Sequence, residues 1–153
     1  MTVDWAEFET ADPNLAALGR QRLERRVAYL ATARPSGAPR LHPVSPYFGG
    51  RRLLVYMEPT SPKAADLRRD ARYALHCGVE DDSGGGGEFA VTGRAAEIID
   101  DAGRREAFEA ARQAGYRPAD RHTVFALGVG RVMATTYANG RRRLHWPPQE
   151  RRR

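Results

Sequence analysis

Lysine and cysteine are almost absent from this chain of 153 residues, which has one of each. The single cysteine, Cys77, excludes an internal disulfide bond and fits the reducing conditions of the cytoplasm. Cys77 lies in an apolar run, so we expect a small packed residue rather than a nucleophile. No apolar run approaches the ~20 residues that span a bilayer, and the N-terminus lacks the basic-then-apolar pattern of a secretion signal. We therefore expect a cytoplasmic protein without a membrane partner.

The sequence also lacks the residue spacings of metal centres and of nucleic-acid readers. His76, His122 and His145 show no ligand spacing with one another, so we expect no metal site. The formal net charge is +6, and six arginines lie within residues 141–153. Such a tail could bind nucleic acid electrostatically, but no DNA- or RNA-reading motif accompanies it. We interpret residues 151–153 as a solvated basic tail and predict no nucleic-acid partner.

What the chain does contain is a series of strand patterns within one predicted domain, residues 1–150. The length and the 41% hydrophobic fraction are sufficient for one sizeable core. Helical patterns cover residues 4–26, with a break at Asp12-Pro13, and residues 62–70 and 102–114. Strand patterns cover residues 27–33, 39–48, 53–56, 73–79, 89–99 and 124–137, with a bulge expected at Gly93. About six strands without βαβ alternation predict an antiparallel β-barrel with peripheral helices.

The stretch from residue 39 to residue 70 carries the strongest functional signal. After the strand ending at Met57, two prolines stop the ladder because proline has no backbone donor. Ser61 is a typical N-cap and Pro62 suits the first helical position. Lys63, the only lysine of the chain, then lies at the positive end of the helix dipole. Two interpretations remain open: an anion site that binds a phosphate group, or a helix cap followed by a solvated lysine.

The strand before this stretch offers a second pair of candidates, Arg40 and His42. Arg40 follows a turn, where it is either a bidentate partner for a phosphate or carboxylate or a surface arginine at a strand start. In a regular strand His42 faces the same side as Arg40, and alternate residues line the core and a site. No carboxylate partner for His42 is evident, so we expect it to bind or pack against a ligand rather than to act as an acid or base.

These segments together resemble the pyridoxamine 5′-phosphate oxidase-like flavin-binding split-barrel family. TSPKAADL, residues 60–67, is similar to the family's Ser-x-Lys phosphate-binding turn, which follows a strand ending in an aromatic residue. SGAPRLHPV, residues 36–44, is similar to the preceding turn and strand, and EFAVTGRA, residues 88–95, resembles a further strand of the family. The resemblance runs in order from about Tyr29 to Gly93, and more loosely to Tyr137.

The resemblance implies a split antiparallel β-barrel and a set of cofactor-binding residues. In this sequence they are Arg40, Leu41, His42, Tyr56, Met57, Ser61, Pro62, Lys63, Glu88 and Trp146. Residues 40–42 would run along the flavin, Tyr56 and Met57 would flank its ring or ribityl chain, and Ser61 with Lys63 would hold its phosphate. The implied cofactor is FMN or the 8-hydroxy-5-deazaflavin coenzyme.

The resemblance also implies a homodimer with cofactor sites at the subunit interface. In such a dimer Trp146 and Arg143 would arrive from the partner subunit, and Glu88 would approach the cofactor at the start of its strand. The oxidase itself carries a longer C-terminal substrate segment with an Arg-x-His motif. This chain departs from that pattern, which argues against oxidation of pyridoxamine 5′-phosphate.

Two functions follow as expectations. The first is a flavin- or deazaflavin-dependent oxidoreductase that transfers a hydride to or from a small organic substrate, with the redox chemistry supplied by the cofactor and no catalytic side chain assigned. The alternative is a non-catalytic protein that binds flavin or haem on the same fold. A nucleic-acid role that depends on the basic tail is a third hypothesis, which the missing recognition motif does not favour.

Overall fold

The computed structural model describes residues 1–148, which form an antiparallel eight-stranded sheet and four helices. The strands are β1 (Ala28–Ala33), β2 (Pro39–Val44), β3 (Tyr47–Gly49), β4 (Arg52–Met57), β5 (Arg72–Cys77), β6 (Glu88–Glu97), β7 (Thr123–Thr136) and β8 (Arg142–Trp146). The helices are α1 (Trp5–Ala11), α2 (Pro13–Leu23), α3 (Pro62–Arg69) and α4 (Asp101–Gln113). Neighbouring strands run in the order β2-β1-β5-β6-β7-β4-β3, and β8 pairs with β7. The predicted antiparallel split barrel with peripheral helices is confirmed; the predicted basic tail, residues 151–153, lies outside the described residues.

The structure contains two strands more than the sequence predicted. Residues 39–48 form two strands rather than one, because Pro46 has no donor for a ladder and ends the pairing between β2 and β3. The second addition is β8. Its sequence begins with Arg142 and Arg143, so it resembles a basic tail and lacks the apolar–polar alternation that indicates a strand. It pairs with the second half of β7, beyond the part of that strand that pairs with β4.

The two N-terminal helices follow from their cap residues. The Asp4 carboxylate accepts a hydrogen bond from the Glu7 N–H at 2.7 Å, and the Glu7 carboxylate accepts one from the Asp4 N–H at 2.8 Å. Asp12 caps α2 by accepting from the Leu15 N–H at 3.0 Å, and Pro13 is the first residue of that helix. The predicted break at this point is confirmed. None of the helices in residues 1–148 has the length and apolar character needed to cross a membrane.

Aromatic side chains fill the core beside α1. The indole of Trp5 meets the ring of Phe8 edge-to-face at a centroid distance of 5.1 Å and that of Phe48 at 4.7 Å. Phe89 of β6 lies 6.3 Å from Trp5 and is fully buried, as are Trp5 and Phe8. Burial of each such side chain stabilises the fold by about 2–3 kcal/mol. The helix α1 is therefore part of the barrel core rather than an appendage.

A second, smaller core holds α4 against the other end of the sheet. It consists of Leu54, Ile98, Ala107, Phe108 and Val124. Because α4 is fixed there, the residues that follow its C-terminus lie beside β3 and β4.

The predicted bulge at Gly93 is confirmed by a register shift between Thr92 and Gly93 in the pairing of β6 with β7. A Cβ atom on Gly93 would lie only 1.9 Å from the carbonyl oxygen of Gly128. The two backbones approach so closely here that only glycine fits. The bulge lets the long strand β6 curl, which gives the sheet its barrel shape.

Candidate functional site

A cleft of about 310 Å³ lies where the sheet does not close, between its two end strands. Strands β2 and β3 are at opposite ends of the strand order, yet only Ser45 and Pro46 separate them in the chain. Strand β3 covers β4 only as far as Leu54, so within the described chain residues 55–57 of β4 have no strand on that edge. The cleft is lined by Val27, Pro43, Val44, Ser45, Tyr47, Tyr56, Lys63 and Tyr116.

The start of α3 borders this cleft and has the predicted cap. The Ser61 hydroxyl accepts a hydrogen bond from the Ala64 N–H at 3.3 Å, and Pro62 is the first helical residue. Lys63 is partly buried, and burial lowers the pKa of its ammonium group. Within residues 1–148 neither the ammonium nor the backbone N–H of Lys63 has a hydrogen-bond partner. Two donors of one residue therefore remain available at the positive end of α3.

Arg40 is fixed by a buried carboxylate that the sequence analysis did not single out, that of Asp66 on α3. The Arg40 Nε donates to Asp66 Oδ2 at 2.6 Å, and the Thr32 hydroxyl donates to the same oxygen at 2.8 Å. Asp66 is 1% exposed. Burial alone would raise its pKa, but the hydrogen bonds from Arg40 and Thr32 hold the pKa below its usual value. The charged Asp66 thus orients Arg40 through Nε and leaves its Nη groups without a partner among the described residues.

Arg34, Arg40 and Lys63 lie around His42, and we call these three charged residues the cation cluster. Partial burial lowers the pKa of His42, and the charges of Lys63, Arg40 and Arg34 lower it further. The imidazole is therefore neutral at physiological pH. Positive potential is concentrated at this end of the cleft, which favours an anionic ligand group.

Three tyrosines form the wall on the other side of the cleft. The rings of Tyr47 and Tyr116 are stacked, with centroids 4.6 Å apart and planes within 7°. Tyr56 meets Tyr116 edge-on at 5.6 Å, and its hydroxyl donates to the carbonyl of Ala107 on α4. Burial raises the pKa of Tyr56, so this phenol stays protonated. The two parallel rings of Tyr47 and Tyr116 provide an aromatic surface on which a planar ligand can pack.

Tyr47, Tyr116 and Asp66 were missed by the sequence analysis. Asp66 is the only acidic residue in the helical segment PKAADLRR, and this isolation was a usable signal. Tyr116 follows Gly115, which has a positive φ of 81° at the end of α4. A helix end marked by glycine was predicted, but no local pattern indicates that the next side chain returns to the cleft.

Of the ten residues predicted for the site, Tyr56 and Lys63 line the cleft, and the others lie outside its lining. The burial of side chains alternates along β2, but Leu41 is on the outer face and is 66% exposed. Val44 is the residue of this strand that contacts the core. The side chain of Met57 is 4% exposed and belongs to the core, so only its backbone is left for a ligand. Glu88 begins β6 opposite Thr135, outside the residues that line the cleft.

Trp146 packs within its own chain, with its ring edge-to-face on Phe8 at 5.1 Å. It is also outside the cleft of this chain, and its contribution to a partner's site stays a prediction. Within residues 1–148 no three or more His, Cys, Asp or Glu side chains are grouped so that they could hold a metal ion.

An antiparallel barrel with a cleft between its end strands defines this protein as a split barrel. A family model described as pyridoxamine 5′-phosphate oxidase matches residues 15–140, and the chain belongs to this family. The predicted family is therefore confirmed. A search of curated proteins gave no match.

Solved structures share the fold at low sequence identity. A haem-binding protein from Mycobacterium smegmatis has a TM-score of 0.63 and 20% identity over 84% of this chain and 57% of its own. A NimC/NimA family protein from Clostridium acetobutylicum has a TM-score of 0.62 and 17% identity over 84% of this chain and 93% of its own. An F420 reductase has a TM-score of 0.57 and 16% identity over 74% of this chain and 94% of its own. At these identities the likeness is one of fold.

Proposed function

We propose that this protein binds a flavin-type cofactor, FMN or the 8-hydroxy-5-deazaflavin coenzyme, and acts as an oxidoreductase on a small organic substrate. The observation that carries the proposal is the cation cluster beside the open cleft, with the unpaired donors of Lys63 at the start of α3. Membership of the family and the fold shared with an F420 reductase support it. The finer choice between the two cofactors is left to experiment.

The residues present fit the phosphate group of such a cofactor. The Lys63 ammonium and backbone N–H, together with the Nη groups of Arg40, provide donors of the kind that bind an anionic phosphate group. The Ser61 hydroxyl holds the helix start in place by its bond to the Ala64 N–H. Asp66 fixes Arg40 without neutralising the whole cluster, because Arg34 and Lys63 also lie near His42.

The other end of the cleft fits a planar ring system. The stacked pair Tyr47 and Tyr116 provides an aromatic surface, and Tyr56 is locked against α4 by its hydroxyl. A bound flavin or deazaflavin supplies the hydride chemistry, which needs no nucleophile from the protein. The chain's own part is to hold the phosphate, to exclude water from the ring and to orient it.

We also propose that the protein is a homodimer whose cofactor sites lie at the subunit interface. The side chains of Leu41 and Tyr29, on neighbouring strands beside the cation cluster, are 66% and 44% exposed. Burial of such apolar side chains against a second copy would stabilise the dimer by about 25 cal/mol per Å². Light scattering on the purified protein tests this: the mass of a monomer at micromolar concentration contradicts it.

A second candidate is non-catalytic binding of flavin or haem. It is favoured by His42, whose lowered pKa keeps the imidazole in the neutral form that ligates iron. The likeness to a protein named as haem-binding supports the same fold for such a role.

The test is a visible absorption titration of the purified protein with FMN, with the deazaflavin coenzyme and with haemin. Lys63→Ala should weaken FMN or deazaflavin binding by about ten- to hundredfold, because a charge-assisted contact to phosphate is lost. The matched control is Arg105→Ala, an exposed basic residue of α4. Circular dichroism of each variant checks that the fold is retained.

Each outcome has a consequence. Unchanged cofactor affinity in Lys63→Ala would overturn the assignment of the phosphate site. Uptake of haemin alone, with a band that is lost in His42→Ala, would favour the second candidate instead.

A further inference from the structure

A second groove, of about 270 Å³, adjoins the cleft through Val27. Val27 precedes β1, which pairs with β2 on one edge and with β5 on the other. The cleft lies on the β2 side of this residue, and the groove lies on the β5 side, next to Gly78 and Val79. We call this second space the arginine groove; it is lined by Arg22, Arg26, Val27, Gly78, Val79 and Glu80.

Arg22 is a buried cation that lines this groove. The side chain is 5% exposed, and its Nη2 donates to the Gly78 carbonyl at 2.7 Å. Its Nη1 is 3.3 Å from Oε1 of Glu80, whose side chain is 58% exposed. The Nε of Arg22 is buried without a hydrogen-bond partner in residues 1–148. Because this Nε is inaccessible, a ligand would be bound through Nη1, whose present partner Glu80 is exposed.

The charges of the groove do not balance. Arg26 is exposed and forms no ion pair within the part of the chain that the structure describes, so two arginines face one carboxylate, that of Glu80. The ion pair between Arg22 and Glu80 is long and solvent-exposed on the carboxylate side, and a ligand carboxylate can replace it at small cost. The excess of positive charge in the groove favours an anionic ligand.

The walls of the groove are apolar, which favours an organic anion over an inorganic one. Val27 and Val79 are 53% and 48% exposed, so both present uncovered side chains at the groove. An inorganic anion would leave these surfaces in water, whereas an organic acid would cover them. Beyond Val27 the groove opens into the cleft, so the apolar body of such an acid would approach the cofactor ring that the proposed function assigns to the tyrosine wall.

We propose that the arginine groove binds the carboxylate of an amphipathic organic acid whose apolar body passes Val27 into the cleft. Arg22 and Arg26 hold the carboxylate, and Val27 with Val79 packs against the adjoining carbon atoms. The inference rests on the proposed function, for which it names the substrate class: organic acids with an apolar portion.

Isothermal titration of the FMN-loaded protein with phenylacetate and with its neutral isostere phenylacetamide tests the proposal. We expect the carboxylate to bind at least about tenfold more tightly than the amide, because only the carboxylate makes charge-assisted hydrogen bonds. Arg26→Gln should weaken phenylacetate binding by about fivefold or more, and Glu80→Gln should strengthen it by about two- to fivefold, since a competing carboxylate is removed. Arg105→Gln on α4 is the matched control and should bind as the parent does.

Arg26 is exposed and Glu80 makes one long contact, so both variants should fold; Arg22→Gln is a further variant, read only if its circular dichroism matches the parent. Equal affinity for acid and amide, no binding of either, or an Arg26→Gln variant that binds like the parent overturns the proposal. The cofactor and the acid are measured separately. If FMN binding depends on Lys63 but phenylacetate does not bind, the proposal for the arginine groove is refuted and the proposed function is retained. If phenylacetate binding depends on Arg26 but the protein takes up no flavin, the proposed function is refuted and the groove is retained as an acid-binding site.

Discussion

The Arg40 guanidinium is bound to the Asp66 carboxylate through Nε at 2.6 Å, so strand β2 is joined to helix α3 inside the protein. Asp66 lies three residues after Lys63 on the same short helix. The two basic groups that we assign to the phosphate are thus held by one element, although they come from different parts of the chain. A change at Asp66 should affect both.

Asp66→Asn tests this coupling. The substitution removes the charge that compensates Arg40, and we expect the free energy of unfolding to fall by about 2–3 kcal/mol because one partner of a buried pair is lost. FMN affinity should fall as well, since Arg40 is no longer oriented. Urea unfolding and flavin titration measure the two effects. Asp70→Asn is the control, because its partner Arg72 is solvent-exposed; an equal effect in both variants would contradict the coupling.

Glu97 connects α3 to the sheet and should make this connection sensitive to acid. Its carboxylate accepts hydrogen bonds from Arg68 Nε at 2.8 Å and Arg68 Nη2 at 2.7 Å, and from the Thr123 hydroxyl. These bonds, that of Arg68 above all, lower the pKa of Glu97 from 4.5 to about 2. A carboxylate with a depressed pKa stabilises the folded state above its unfolded pKa, and this contribution is lost as the pH falls through the folded pKa.

We therefore expect Glu97→Gln to reduce the free energy of unfolding by about 1 kcal/mol at neutral pH, after allowance for solvent screening. The difference between parent and variant should shrink below about pH 4.5 and vanish near about pH 2. Urea unfolding of both proteins across this range provides the measurement. A difference that stays constant with pH would show that the Glu97 charge does not support α3.

Gly93→Ala should destabilise the barrel strongly. The added Cβ would lie 1.9 Å from the Gly128 carbonyl oxygen, so one of the two strands has to move. We expect a loss of about 2–3 kcal/mol in the free energy of unfolding, the upper range for overpacking. Thermal unfolding compared with Gly78→Ala, where the nearest atom is 3.7 Å away, isolates the steric effect. Similar melting temperatures for the two variants would contradict it.

Trp146→Phe separates the two roles of this aromatic residue. A phenyl ring keeps an edge-to-face contact with Phe8, so we expect a change of less than about 1 kcal/mol in the free energy of unfolding. If Trp146 also reaches the cofactor of a partner subunit, FMN affinity should drop several-fold while stability is maintained. Parallel titration and unfolding of parent and variant decide this. Unchanged affinity would restrict Trp146 to its packing on Phe8.

The fold was largely readable from the sequence because its signals are local. The N-cap at Ser61, the proline at position 62 and the bulge at Gly93 each depend on a few adjacent residues, and all three are present. The strand β8 was missed because it is stabilised by pairing with β7 rather than by its own composition.

The candidate site could be predicted only in part, because several of its residues come together only in the folded protein. Lys63 and Arg40 were predicted from motifs, and both lie in the cation cluster. The rest of the site depends on contacts between residues that are distant in sequence. Asp66 is bound by Arg40, and Tyr47 stacks on Tyr116, 69 positions later in the chain. No periodicity within a single segment specifies such contacts.

Because Lys63 is the only lysine among the 153 residues and borders the cleft, the protein carries a single side-chain amine at its candidate site. Burial lowers the pKa of this amine, which increases the fraction available to an acylating reagent. Acylation followed by mass spectrometry would therefore report occupancy of the cleft at one residue, without a spectroscopic signal from the ligand. The same chemistry would allow compounds to be ranked by the protection they give to this one amine.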